Sequence, residues 1–189
     1  MRMTIVTAGL ALTASLAGAQ VSETLPLEVR PFIGASIPTG SQRDLFDDEL
    51  LVGAQVALGV TERFQAIATF AWVGGTANYP VSEDGVDIYQ YDFGAELDLR
   101  GAEVMMPRFT PFIGAGLGGR SYRYASNDLS DNACFSAYGA VGAEFRLYTA
   151  TFRAEARDNV FCYESPLGTG QSRTRNDVTL AIGLGLSIF

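Results

Sequence analysis

From Tyr89 to Leu99 every second residue is apolar (Tyr89, Tyr91, Phe93, Ala95, Leu97, Leu99), with Gln90, Asp92, Gly94, Glu96 and Asp98 between them. Period two predicts a strand with one apolar and one polar face. At the C-terminal end Val178, Leu180, Ile182, Leu184, Leu186 and Ile188 alternate with Asp177, Thr179, Ala181, Gly183, Gly185 and Ser187. A helix would scatter those leucines around its axis. The same pattern recurs at Leu27 to Ile37, Val52 to Val60, Phe64 to Trp72, Phe109 to Leu117, Phe135 to Arg146 and Thr151 to Arg157, which makes eight strands.

The connections are uneven. Segments 39–49, 75–87, 124–133 and 163–174 are polar and rich in Gly, Ser, Asn and Asp. The joints at Thr61-Glu62 and Tyr148-Thr149 are tight, and the one at Gly101 to Arg108 is longer. Four long loops on one side and three shorter turns on the other is the asymmetry of an up-and-down transmembrane barrel. A soluble eight-stranded barrel has the same strand count, so the two faces must decide.

The polar face carries Glu28, Arg30, Asp92, Glu96, Asp98, Arg100, Glu144, Arg146, Arg153, Glu155, Arg157 and Asp177, nearly balanced in sign. Enclosed in a narrow lumen these charges can pair across it, whereas a soluble ligand barrel would turn them to water around an apolar cavity. On the apolar face Trp72, Tyr89, Tyr91 and Phe135 stand next to the long loops, and Phe64, Phe109, Phe145 and Phe152 next to the short turns. Two aromatic belts around an aliphatic band match the two interfaces of a bilayer. A soluble core has no reason to sort aromatics by height. The reading is all-β, an eight-stranded antiparallel transmembrane β-barrel with outer-membrane lipid as its surroundings.

Composition adds a compartment and several exclusions. Met1 to Ala19 holds Arg2, an apolar run from Ile5 through Leu16, and Ala17-Gly18-Ala19, the marks of a signal peptide. Residues 1–19 are then the signal and 20–189 the barrel domain, in an exported protein. Beyond it no apolar run reaches the roughly 18 residues of a spanning helix. The 189 residues include no histidine, and all 13 basic residues are arginine. Nucleophile-histidine pairs and histidine-bearing zinc sites are excluded. A net charge of −8 repels a phosphate backbone, so no nucleic-acid partner is expected.

The strand phrase Pro31-Phe32-Ile33-Gly34-Ala35 recurs as Pro111-Phe112-Ile113-Gly114-Ala115, and the chain ends in Phe189. With these features it resembles the small eight-stranded outer-membrane β-barrel proteins of Gram-negative-type bacteria, the OmpA-like, OmpX-like, OmpW-like and opacity-type group. The resemblance covers Gln20 to Phe189 and implies location in the outer membrane. It also implies a terminal aromatic signal, Phe189, read by the barrel-assembly machinery, although Ile188 rather than Phe189 continues the apolar phase.

Eight strands enclose a space just wide enough for side chains to fill, so the charged face reads first as a plug of ion pairs. A narrow conduit is the alternative, and likeness to OmpW-like members would allow it to pass small, perhaps apolar, molecules. No enzyme activity, cofactor or metal site is expected: Asp92 and Glu96 beside arginines read as structural. The loops carry ten acids against Arg43 and Arg173, an acidic rim for a surface partner that the sequence does not identify. Cys134 and Cys162 lie equally far from Tyr148 and are expected to form a disulfide, given a bulge or loop geometry between Ala156 and Cys162 that turns both to one face and takes Asp158 off the lipid-facing side. On the same reading, arginine at Ala95 or Ile182 should be costly, and a small polar residue at Ser187 or Gly118 mild.

Overall fold

The computed structural model describes residues 26–40, 43, 48–78, 83–99, 109–124, 132–147, 150–164 and 172–188. The expected signal at 1–19, Arg100 and Phe189 lie outside them. Eight antiparallel strands, β1 (Leu27–Pro38), β2 (Glu49–Gly59), β3 (Phe64–Asn78), β4 (Glu83–Asp98), β5 (Phe109–Tyr124), β6 (Asn132–Leu147), β7 (Ala150–Glu164) and β8 (Ser172–Ser187), pair in chain order and close when β8 pairs with β1. Closure leaves no sheet edge, the condition for a sheet to cross a membrane. The short β2–β3 joint forms where Thr61 Oγ1 accepts from the amides of Arg63 and Phe64 at 3.3 and 3.0 Å, a local bond that turns the chain.

Partners across the strands run Leu27, Leu58, Ala66, Ala95, Ala115, Gly139, Asp158, Val178 and back to β1 at Ile37. The circuit returns ten residues above its start, a stagger that tilts the strands by about 35–45° and keeps the bore narrow. Every residue in this row points outward, and the alternate row points inward.

The strands run further into the polar segments than alternation alone predicts. β3 and β4 continue to Asn78↔Glu83, and β5 to Tyr124. The segment expected as a long loop at 75–87 is therefore mostly strand, and strand also takes in the ends of those at 124–133 and 163–174. Ladder bonds hold polar residues in a sheet once the barrel rises out of the apolar band, where no alternation is imposed.

The outer surface is apolar and open. Phe93 is 72% exposed, Ile182 65% and Phe135 60%, a continuous patch far larger than a protein surrounded by water carries. Phe64, Phe109, Phe145 and Phe152 ring the turn side, and Trp72, Tyr89, Tyr91 and Phe135 the loop side, all in the outward phase. Phe70 and Phe93 also face out, one rung below the loop-side belt, so the band between the belts is not wholly aliphatic.

Candidate functional site

Inward alternation delivers charges to the lumen from six strands, and the closed register brings them together. Arg153 on β7 is the hub: Nη1 donates to Glu144 Oε1 at 2.8 Å, and Nη2 to Glu155 Oε2 at 2.6 Å and to Glu96 Oε1. Arg30 on β1 donates to Glu28 Oε2 and Gln65 Oε1, both at 2.7 Å, and lies 3.1 Å from Glu144. Higher up, Arg157 donates to Glu155 at 2.8 Å and to Asp92 at 2.9 Å. Gln90 Nε2 continues the chain to Asp92 at 2.6 Å and to Asn159 at 3.2 Å. Arg120 then donates to Gln90 at 3.1 Å and grips Asp177 with both Nη atoms, and Asn159 donates to Asp177 at 3.0 Å. The result is one hydrogen-bonded column from Glu28 near the turns to Asp177 near the loops.

Burial explains the residue types. Arg30 is 1% exposed and Asp92 and Asp177 2% each, so every charge needs partners in place of water. A guanidinium supplies several donors in a plane and leaves its faces free to stack. Arg153 lies over Phe112 at 3.7 Å, Arg157 over Tyr138 at 4.0 Å and Arg120 over Phe161 at 4.2 Å, contacts that suit a weakly hydrated cation. Glycines make the room: a Cβ on Gly142 would run into the Phe112 ring, and one on Gly116 would sit 2.5 Å from Tyr138.

Of the charges assigned to this face from sequence, Glu28, Arg30, Asp92, Glu96, Glu144, Arg153, Glu155, Arg157 and Asp177 join the column. Asp98 is buried at its turn end, and Arg146 is exposed at the mouth. Arg120 was missed because the fifth strand seemed to stop near Gly118, yet Gly114, Gly116, Gly118 and Arg120 share one phase. Two of the three stacking rings, Phe112 and Phe161, were missed too, because an aromatic in the inward phase carries no charge to mark it as a lumen residue.

Toward the loops the lumen changes character. Leu51, Ala71, Val73, Val86, Ile88, Tyr122 and Phe161 pack into an apolar cluster inside the barrel. Between it and the charges lies a cavity of about 20 Å³ bordered by Phe32, Leu51, Gln55, Thr69 and Arg153, room for about one water. At the turn end a larger vestibule of about 530 Å³ opens beside Glu28, Glu62, Asp98 and Arg146. Among the described residues no group of three or more metal-ligating side chains comes together.

The expected disulfide is not formed, and both cysteines are free. The β6–β7 ladder runs without a bulge from Leu147↔Ala150 to Ser136↔Phe161. The ladder is therefore centred midway between Leu147 and Ala150 rather than on position 148, and the cysteines fall one position out of register. Cys134 turns inward against the apolar cluster while Cys162 is exposed on the outer face. Alkylation of the denatured protein without reductant is expected to modify two thiols, with Cys162 the first to react in the folded barrel. Thiols that appear only after reduction would contradict this placement.

No protein-family model matches the chain, and no curated protein matches its sequence. Solved structures do match its fold. Neisserial surface protein A has a TM-score of 0.66 at 11% identity, over 86% of this chain and 97% of that one. The outer membrane protein OprG from Pseudomonas aeruginosa scores 0.60 at 15% identity, over 88% and 97%. Outer membrane protein W of E. coli scores 0.57 at 16% identity, over 88% and 100%. The fold is that of small eight-stranded outer-membrane barrels.

Proposed function

We propose that this chain is an outer-membrane β-barrel shut by its own side chains, with a structural or surface-interaction role exerted through its lipid face and its acidic loop-side rim. The observation that carries the reading is the buried column from Glu28 to Asp177. Opening a hydrated path beside it would break several charge-assisted bonds together, each worth about 1.5–3 kcal/mol. The apolar cluster above resists wetting as well. The proposal includes removal of residues 1–19, insertion by the barrel-assembly machinery reading Phe189, and no catalytic activity. The acidic rim favours a cationic partner.

A narrow conduit for small apolar molecules is the competing reading, favoured by the apolar upper lumen, and it needs a route past Arg30 and Arg153. Location is tested by fractionation and by gel mobility. The protein is expected in the outer-membrane fraction and to run differently before and after boiling, because a closed hydrogen-bonded sheet resists detergent until heated. Recovery as a soluble periplasmic protein would overturn the reading. Closure is tested by ion conductance across a planar bilayer, where the purified barrel is expected to stay silent.

A further inference from the structure

Asp158 breaks the apolar pattern of the outer surface. It was expected to leave the lipid face through a bulge, but β7 has none, and the side chain points outward and is exposed. On its own strand it stands six residues beyond Phe152, about 15 Å up a tilted strand, inside an apolar band of about 25 Å. Its carboxylate makes no hydrogen bond or ion pair with any described residue. On one side its cross-strand partner is Gly139, where an added Cβ would meet nothing within 4 Å, and on the other it is Val178.

A carboxylate cannot stay charged and bare in hydrocarbon; a proton neutralises it, polar matter reaches it or a protein covers it. The surroundings favour the second. Along the β7–β8 seam Asn176, paired with Val160, and Thr174, paired with Cys162, are exposed above Asp158, so polar side chains lead down to it from the rim. The loop-side belt residues Trp72, Tyr89, Tyr91 and Phe135 stand on β3, β4 and β6, and the described part of β7 and β8 adds no outward aromatic there.

We propose that the loop-side membrane boundary dips along the β7–β8 seam, so that water and hydrated lipid headgroups reach Asp158, and that this seam is a headgroup-contacting face of the barrel. The inference rests on the barrel spanning a bilayer. Local thinning of this kind is how membranes accommodate a charge at depth.

The test uses the full-length mature barrel in lipid vesicles, with Cys134→Ser and Cys162→Ala, and a single spin-labelled cysteine at Val178 or at Leu117. Ala115 shares the row of Asp158 two strands back, which the stagger sets about two and a half residues lower. Leu117, two residues further up β5, is therefore level with Asp158 and serves as control. The label at Val178 is expected to be reached by a water-soluble paramagnetic nickel complex, and the label at Leu117 by oxygen from the lipid. Adding Asp158→Leu is expected to return the Val178 label to the Leu117 pattern. Lipid-like signals at both sites would overturn the dip while leaving the spanning barrel intact. Water access at both would overturn the spanning barrel itself. A Val178 label shielded from both reagents, with dipolar broadening between chains, would show a second copy on the seam and overturn the headgroup contact.

Discussion

Replacing Arg153 with methionine is expected to cost about 3–5 kcal/mol of stability, the price of breaking a buried ion pair from one side. The guanidinium donates to Glu96, Glu144 and Glu155 and covers the Phe112 ring. Methionine fills much of the volume but leaves three carboxylates sharing the lumen with Arg30 and Arg157. The ion pairs join Arg30, Arg120, Arg153 and Arg157 to Glu28, Asp92, Glu96, Glu144, Glu155 and Asp177, four cations against six anions. Loss of a cation should therefore hurt more than loss of an anion. Glu155→Gln keeps shape and some hydrogen bonding and is expected to cost only about 1–3 kcal/mol. Guanidinium unfolding of the barrel in lipid vesicles, followed by tryptophan fluorescence, measures both. A loss under about 1 kcal/mol at Arg153 would mean that water already screens the lumen and that the column does not close it.

Arginine at the lipid face comes next in size. Ala95 and Ile182 lie between the two belts and face outward, Ile182 at 65% exposure. Ala95→Arg and Ile182→Arg are each expected to cost roughly 2–4 kcal/mol in the same assay. Ser187, at the turn-side mouth, is exposed in the inward phase, and Ser187→Asn should change little. Gly118 is a different case from the one its polar phase implies. A Cβ there would collide with the Tyr91 carbonyl and the Asp92 carboxylate, so Gly118→Ser is expected to destabilise the barrel. Equal tolerance of arginine at Ala95, Ile182 and Ser187 would mean that the faces are reversed.

Much of this architecture is legible in the sequence because a membrane barrel imposes alternation wherever a strand separates lipid from lumen. The phases of Tyr89 to Leu99 and of Val178 to Ile188 each mark which residues face lipid, and nine of the column's charges follow from phase alone. Legibility fails where that constraint lapses. Above the loop-side belt the strands continue through Asn78, Tyr124 and Glu164 with no alternation to mark them, so Arg120 was lost with the end of its strand. Inside the upper lumen Leu51, Val73 and Ile88 meet other side chains rather than water, so both faces of β2 to β4 are apolar and phase carries no information. The cysteines turn on the smallest error of all. A hairpin centred half a residue from its assumed position moves one of two facing side chains through the sheet.

The central claim is that side chains close the lumen. Single-channel recording of the purified, refolded barrel in a planar bilayer tests it most directly. The expected record is a flat baseline, with no discrete steps above that of a protein-free membrane. Reproducible unitary openings that scale with the protein added, and that change when Arg30 or Arg153 is replaced, would contradict it.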